Sequence, residues 1–147
     1  AENSLRSALS LRPNFPEAEA DLGVALVGQG QFEDARPLLA GALDRGLGNA
    51  RRYRAMALTM LEDDRLEDAA RYLEQALAED ETAQERARLA WVSWRLGETE
   101  KARSEINIAL ELEEQTSPYV DWVRKQIHSQ PEPTGKYPAR ESAATAQ

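Results

Sequence analysis

The sequence predicts an all-α fold, an α-solenoid of antiparallel helix hairpins closed by a C-terminal capping helix. Three observations predict it. Apolar and small residues recur at helical spacing from residue 1 to about residue 129. The chain also repeats itself: Ala35, Ala69 and Ala102 stand 34 and 33 residues apart, and Gly23, Ala57 and Ala90 keep the same intervals. So do Leu22, Met56 and Leu89, then Leu39, Leu73 and Ile106, and then Leu43, Leu77 and Leu110. Finally, the breaks agree, with Gly30, Asp64 and Gly97 in one register at the reversal of each hairpin. Small residues at fixed points let two helices approach closely, and the large apolar ones fill the space beside them.

The elements follow in order. Residues 1–13 read as the second helix of a truncated leading repeat, because Leu5, Ala8, Leu9 and Leu11 form a stripe ended by Pro13. Leu5 and Leu9 stand 34 residues before Leu39 and Leu43, which puts them in the same register. Residues 14–49 form the first full repeat, with Leu22, Ala25 and Leu26 facing Ala35, Leu38, Leu39, Ala42 and Leu43 across the Gly30–Phe32 break. Pro37 removes an amide early in the second helix, and interior glycines cost about 0.5–1 kcal/mol each. This repeat is therefore expected to be the least stable. Residues 50–82 and 83–116 form the second and third repeats. Ser117-Pro118 starts a capping helix over residues 117–129, whose apolar face is Val120, Val123 and Ile127. Residues 130–147, rich in Pro and poor in apolar residues, read as a flexible tail that could lie in a groove as a pseudo-ligand. The opening AENSLRSALS has neither Met nor a leader pattern, so a processed start or an excised piece of a longer protein is expected.

These residues resemble the tetratricopeptide repeat family over about residues 1–116. The family pairs W-x2-L-G-x2-Y on a first helix with A-x3-F on a second and a closing Pro. Leu22-Gly23 matches the L-G pair, and Met56-Ala57 and Leu89-Ala90 match it by size. Ala35-x3-Leu39, Ala69-x3-Leu73 and Ala102-x3-Ile106 match A-x3-F with an aliphatic residue for Phe. The Trp position holds Glu19, Tyr53 and Arg86, and the closing Pro survives only as Pro13. The resemblance implies a right-handed superhelix whose first helices line a concave surface crossed by partner peptides. Some members grip a C-terminal carboxylate with Lys, Arg and Asn at set points. Those points fall here on Glu17, Asp21, Ala55, Gln84 and Arg88, and only Arg88 fits, so that clamp is not expected.

Composition narrows the function. A net charge of −8 argues against a general nucleic-acid surface, which needs clustered cations. With no Cys and a single His128, thiolate chemistry, Cys-based zinc sites and a His-centred metal site all lack ligands. His128 reads as a surface residue near a helix C-terminus, and Glu62-Asp63-Asp64 as a solvated turn lacking calcium-loop spacing. No phosphate-loop, dinucleotide or nucleophile-elbow string occurs. An enzyme is therefore not expected, nor a cofactor. No apolar run approaches the roughly 18–20 residues of a membrane span. A soluble chain is expected, and the absence of Cys suits the cytoplasm and the periplasm alike.

The helical face opposite each hairpin contact supplies the candidate groove. It holds Glu17, Ala20, Asp21, Val24 and Val27 in the first repeat. The second offers Arg51, Arg54, Ala55, Leu58 and Leu61, and the third Gln84, Ala87, Arg88, Trp91, Trp94 and Arg95. No acid stands between Asp44 and Glu62, so Arg51, Arg52 and Arg54 make a basic stretch in an acidic chain. The groove is expected to use Leu58, Leu61, Trp91 and Trp94 for apolar contact and Arg51, Arg54, Arg88 and Arg95 to read acidic groups. A competing expectation packs Trp91 or Trp94 against Tyr119 and Trp122 of the capping helix. The expected function is non-catalytic protein–protein interaction with a protein or peptide partner carrying acidic groups, by a monomer or weak oligomer. The alternative is a structural or self-assembling segment of a longer repeat protein.

Overall fold

A computed structural model describes residues 15–113 and 117–129. Seven helices and no strand occur among the described residues: α1 Pro16–Gly28, α2 Phe32–Asp44, α3 Ala50–Glu62, α4 Leu66–Glu79, α5 Ala83–Arg95, α6 Thr99–Leu112 and α7 Pro118–Ser129. The expected all-α solenoid of hairpins is the observed architecture. The stripe at Leu5–Leu11 and the stretch from Pro131 lie outside the described residues.

Local chemistry starts each helix. Pro16 occupies the first turn of α1, where its missing amide costs nothing. The Asn49 side chain accepts from the Arg52 amide at 2.9 Å to begin α3, and Thr82 accepts from the Glu85 amide at 3.2 Å to begin α5. Ser117 Oγ accepts from the Val120 amide at 3.2 Å at the head of α7. Pro37 lies inside α2 on an exposed position, where water can reach the Glu33 carbonyl that its ring deprives of an amide.

The three reversals are the same motif. Gly30, Asp64 and Gly97 all have positive φ, at 79°, 57° and 83°. In each the following amide reaches five residues back: Gln31 to Leu26 O at 2.8 Å, Arg65 to Met60 O at 2.9 Å, and Glu98 to Ser93 O at 2.8 Å. The left-handed residue turns the chain so that the second helix folds back on the first. Asp64 holds this conformation with a side chain present, which is why only glycine and short polar residues share the register.

Within each hairpin the pairs α1·α2, α3·α4 and α5·α6 pack face to face. Ala35, Leu39, Ala57, Ala69, Leu73, Ala90, Ala102 and Ile106 are buried in these seams. Gly23 sets the closest approach, since a Cβ there would lie 2.9 Å from Leu39 Cγ. The repeats then stack in one continuous apolar core that runs from Leu22 to Ile127. First helices meet directly at two junctions, α1 on α3 and α5 on α7. Each second helix reaches forward instead to the next first helix, α2 to α3, α4 to α5 and α6 to α7. That pattern lines the first helices along one face of the stack, the face that the tetratricopeptide resemblance expects to be the inner arc.

Candidate functional site

The inner arc divides into two regions of different character. Between α1 and α3 lies an open depression of about 200 Å³ lined by Val24, Val27, Gly28, Arg51, Arg54, Ala55 and Leu58. Its walls are aliphatic and its rim carries two guanidinium groups. Arg51 is exposed and, among the described residues, makes no ion pair. Arg54 is tied back: its Nε stands 3.0 Å from Glu85 Oε1, and its Nη2 stands 3.9 Å from Asp80. The helix that carries both is positioned by Arg52, which donates to the Leu47 carbonyl at 2.7 Å and to Asp21 Oδ1 at 3.2 Å. That residue clips the inter-repeat loop and α1 to α3.

Further along, the arc is closed. Trp91 and Trp94 are only 1% and 2% exposed, and Leu61 is buried with them in the core. α7 packs on α5 and supplies Tyr119, Val120 and Val123 to the same cluster. Both tryptophans are therefore wall, which is the competing expectation for these residues. Arg88 is 5% exposed, ion-paired with the buried Glu85, and lies 5.8 Å above the Tyr119 ring. Arg95 is half-buried, stacked 5.2 Å over Trp91 and 3.7 Å from Asp64.

So the structure brings Arg51, Arg54 and Leu58 together around one opening, and sends Leu61, Arg88, Trp91 and Trp94 inward. The residue that organises this division is Glu85. It faces Arg54 and Arg88 at once and accepts from the Thr82 hydroxyl. A buried carboxylate needs such partners, because leaving a charge unpaired away from water is costly. The T-x-x-E string Thr82–Glu85 is the sequence signal that places this carboxylate in the first turn of α5. Periodicity alone assigns Glu85 no part in the groove.

A second depression, of about 490 Å³, opens between α4, α5 and α6 and is lined in part by Glu74, Glu81, Glu105 and Arg86. Its one lining cation, Arg86, is paired with two of its three carboxylates. Arg86 Nη1 is 2.8 Å from Glu105 and its Nε 3.4 Å from Glu81. Burial opposes the Arg86 charge, but the hydrogen bonds and charges of Glu105 and Glu81 outweigh it and raise its pKa. Lys101 behaves alike: burial works against it, and Glu74, 3.1 Å away, then Glu98 and Glu105 raise its pKa. Among the described residues no group of three His, Asp or Glu side chains is placed to hold a metal ion. None of the described helices is long and apolar enough to cross a membrane.

A family model described as tetratricopeptide repeat matches residues 1–58. This bears out the resemblance read from Leu22-Gly23 and Ala35-x3-Leu39. The all-helical hairpin array, with three reversals in one register, is consistent with a solenoid of such repeats. No match was found among curated proteins. Tetratricopeptide repeats generally mediate protein–protein interactions and are generally non-catalytic.

Proposed function

We propose, for a chain whose residues 1–58 match the tetratricopeptide repeat, that it binds an extended segment of a partner protein on the inner arc, across α1 and α3. The observation that carries this reading is the open aliphatic depression formed by Val24, Val27, Ala55 and Leu58. It lies on the face that the first helices turn inward, and arginines at its rim can orient a backbone or an acidic group. The groove is a surface for association, with binding concentrated in a few anchor contacts. Arg88, Trp91 and Trp94 hold the array in shape and do not touch the ligand.

Selection of random dodecapeptides displayed against the full chain tests this reading. Enriched peptides should shift the backbone amide resonances of Val24, Val27, Ala55 and Leu58 and lose binding to a Leu58→Asp variant of unchanged melting temperature. Shifts confined to α2 and α4, or binding indifferent to Leu58→Asp, would place the partner elsewhere and overturn the reading.

A further inference from the structure

We infer that the α1–α3 depression selects a segment presenting one aliphatic side chain with a carboxylate within about two residues of it. The inference rests on the groove reading above and adds the chemistry of the occupant.

Size comes first. Small-molecule and cofactor sites usually occupy about 300–1,000 Å³. The about 200 Å³ here falls below that range and suits one side chain. The walls decide which kind. Val24, Val27, Ala55 and Leu58 are aliphatic, and among the described residues no aromatic ring lines the space to stack on a ring. A branched or flexible aliphatic chain fills such a surface by contact alone.

Charge decides the rest. Among the described residues no carboxylate lines the depression, and no acid occurs in the chain between Asp44 and Glu62. The two cations at the rim are not equivalent. Arg54 is held 3.0 Å from the buried Glu85 and 3.9 Å from Asp80, so its charge is largely offset and it serves as wall. Arg51 is exposed, with its fork of donors open to a ligand. The chain as a whole carries −8. Charges at the surface act over a screening length of only about 8–10 Å at ordinary salt. Arg51 lines this depression with, among the described residues, no carboxylate paired to it, so a carboxylate is attracted there and a lysine or arginine repelled.

Two displayed dodecapeptide libraries test this, one complete and one lacking Asp and Glu, each selected against the full chain. The complete library should yield segments with Leu, Ile, Val or Met beside Asp or Glu. Replacing that acid by its amide, or making Arg51→Glu, should weaken binding roughly tenfold, the scale of one charged hydrogen bond. Selection against the Arg51→Glu chain should favour Lys or Arg at the acidic position. Suppose the acid-free library gives binders of equal strength that still fail on Leu58→Asp. Then the carboxylate preference is wrong and the groove stands. If neither library yields a binder sensitive to Leu58→Asp, groove and preference fall together. Melting curves accompany each variant, and Val24→Lys replaces Leu58→Asp should the latter lose its fold.

Discussion

Val24 and Trp91 occupy the same place in their repeats, with Leu58 between them, 34 and 33 residues apart. Val24 is half-buried beside an open depression, whereas Trp91 is buried beneath Arg95. The neighbouring register shows the compensation. Leu26 and Met60 are large core residues, and the third repeat has Ser93 in their place. Trp94 then stands where the first two repeats have Val27 and Leu61. Volume has moved from one position to the next within a turn of α5, and the helix still fits its hairpin partner. The Ser93 hydroxyl is buried without a hydrogen-bond partner, a cost that Leu26 and Met60 do not carry at the same place. Equivalent frames thus serve different ends, the first two repeats leaving a recess and the third filling it.

The most severe way to break this comparison is to empty the filled end. Trp91→Ala should lower unfolding free energy by about 3–5 kcal/mol, the usual range for a buried Trp truncation. Val24→Ala, at the half-buried equivalent, should cost under about 1.5 kcal/mol. Denaturant titration of the two variants checks this, and equal losses would mean that the third repeat is no better packed than the first.

A smaller effect separates the glycines of the first hairpin. Gly23→Ala puts a methyl group against Leu39 and should cost about 1–3 kcal/mol by overpacking. Ala57 and Ala90 hold that place in the later repeats, where both are buried. Gly41 lies inside α2, with nothing within 4 Å of a built Cβ. Gly41→Ala should therefore raise stability by about 0.5–1 kcal/mol. Thermal melting of the pair should move in opposite directions, and a shared direction would break the assignment.

The smallest effect concerns the closing helix. Hydrogen bonds from Arg124, then from Lys125, lower the Asp121 pKa below its usual 3.8. A carboxylate with a depressed folded-state pKa adds stability above its unfolded pKa and loses it as pH falls. The group is half-buried at the surface and its partners are open to solvent, so the contribution is modest. Asp121→Asn should leave a slightly less stable chain at neutral pH and one whose difference from wild type vanishes in acid. An unchanged difference at low pH would assign the effect to something other than this charge.

Much of the fold is legible in the sequence because it rests on local spacing. The 33–34-residue recurrence of small and large residues marks the seams of three hairpins, and Gly30, Asp64 and Gly97 mark their reversals. A backbone requirement for positive φ leaves a direct trace in residue choice. The site is less legible. Periodicity can say that Arg88 and Trp91 share a helical face with Arg95, but not what covers that face. Burial there is decided by α7, which packs on α5 from beyond the repeats, and by Glu85, whose two arginine partners lie on different helices.

The sequence by itself determined the architecture, through the period of its apolar and small residues and the turn chemistry between them. It also determined that the cations of Arg51–Arg54 stand apart from acids along the chain. Only the tertiary structure decided which cations are open. Arg88 is consumed by Glu85 three residues before it, and Arg54 is anchored by the same carboxylate from the next repeat. Arg51 is left facing an aliphatic recess. Accessibility is a property of what packs across a helix face, and neighbours distant along the chain decide it.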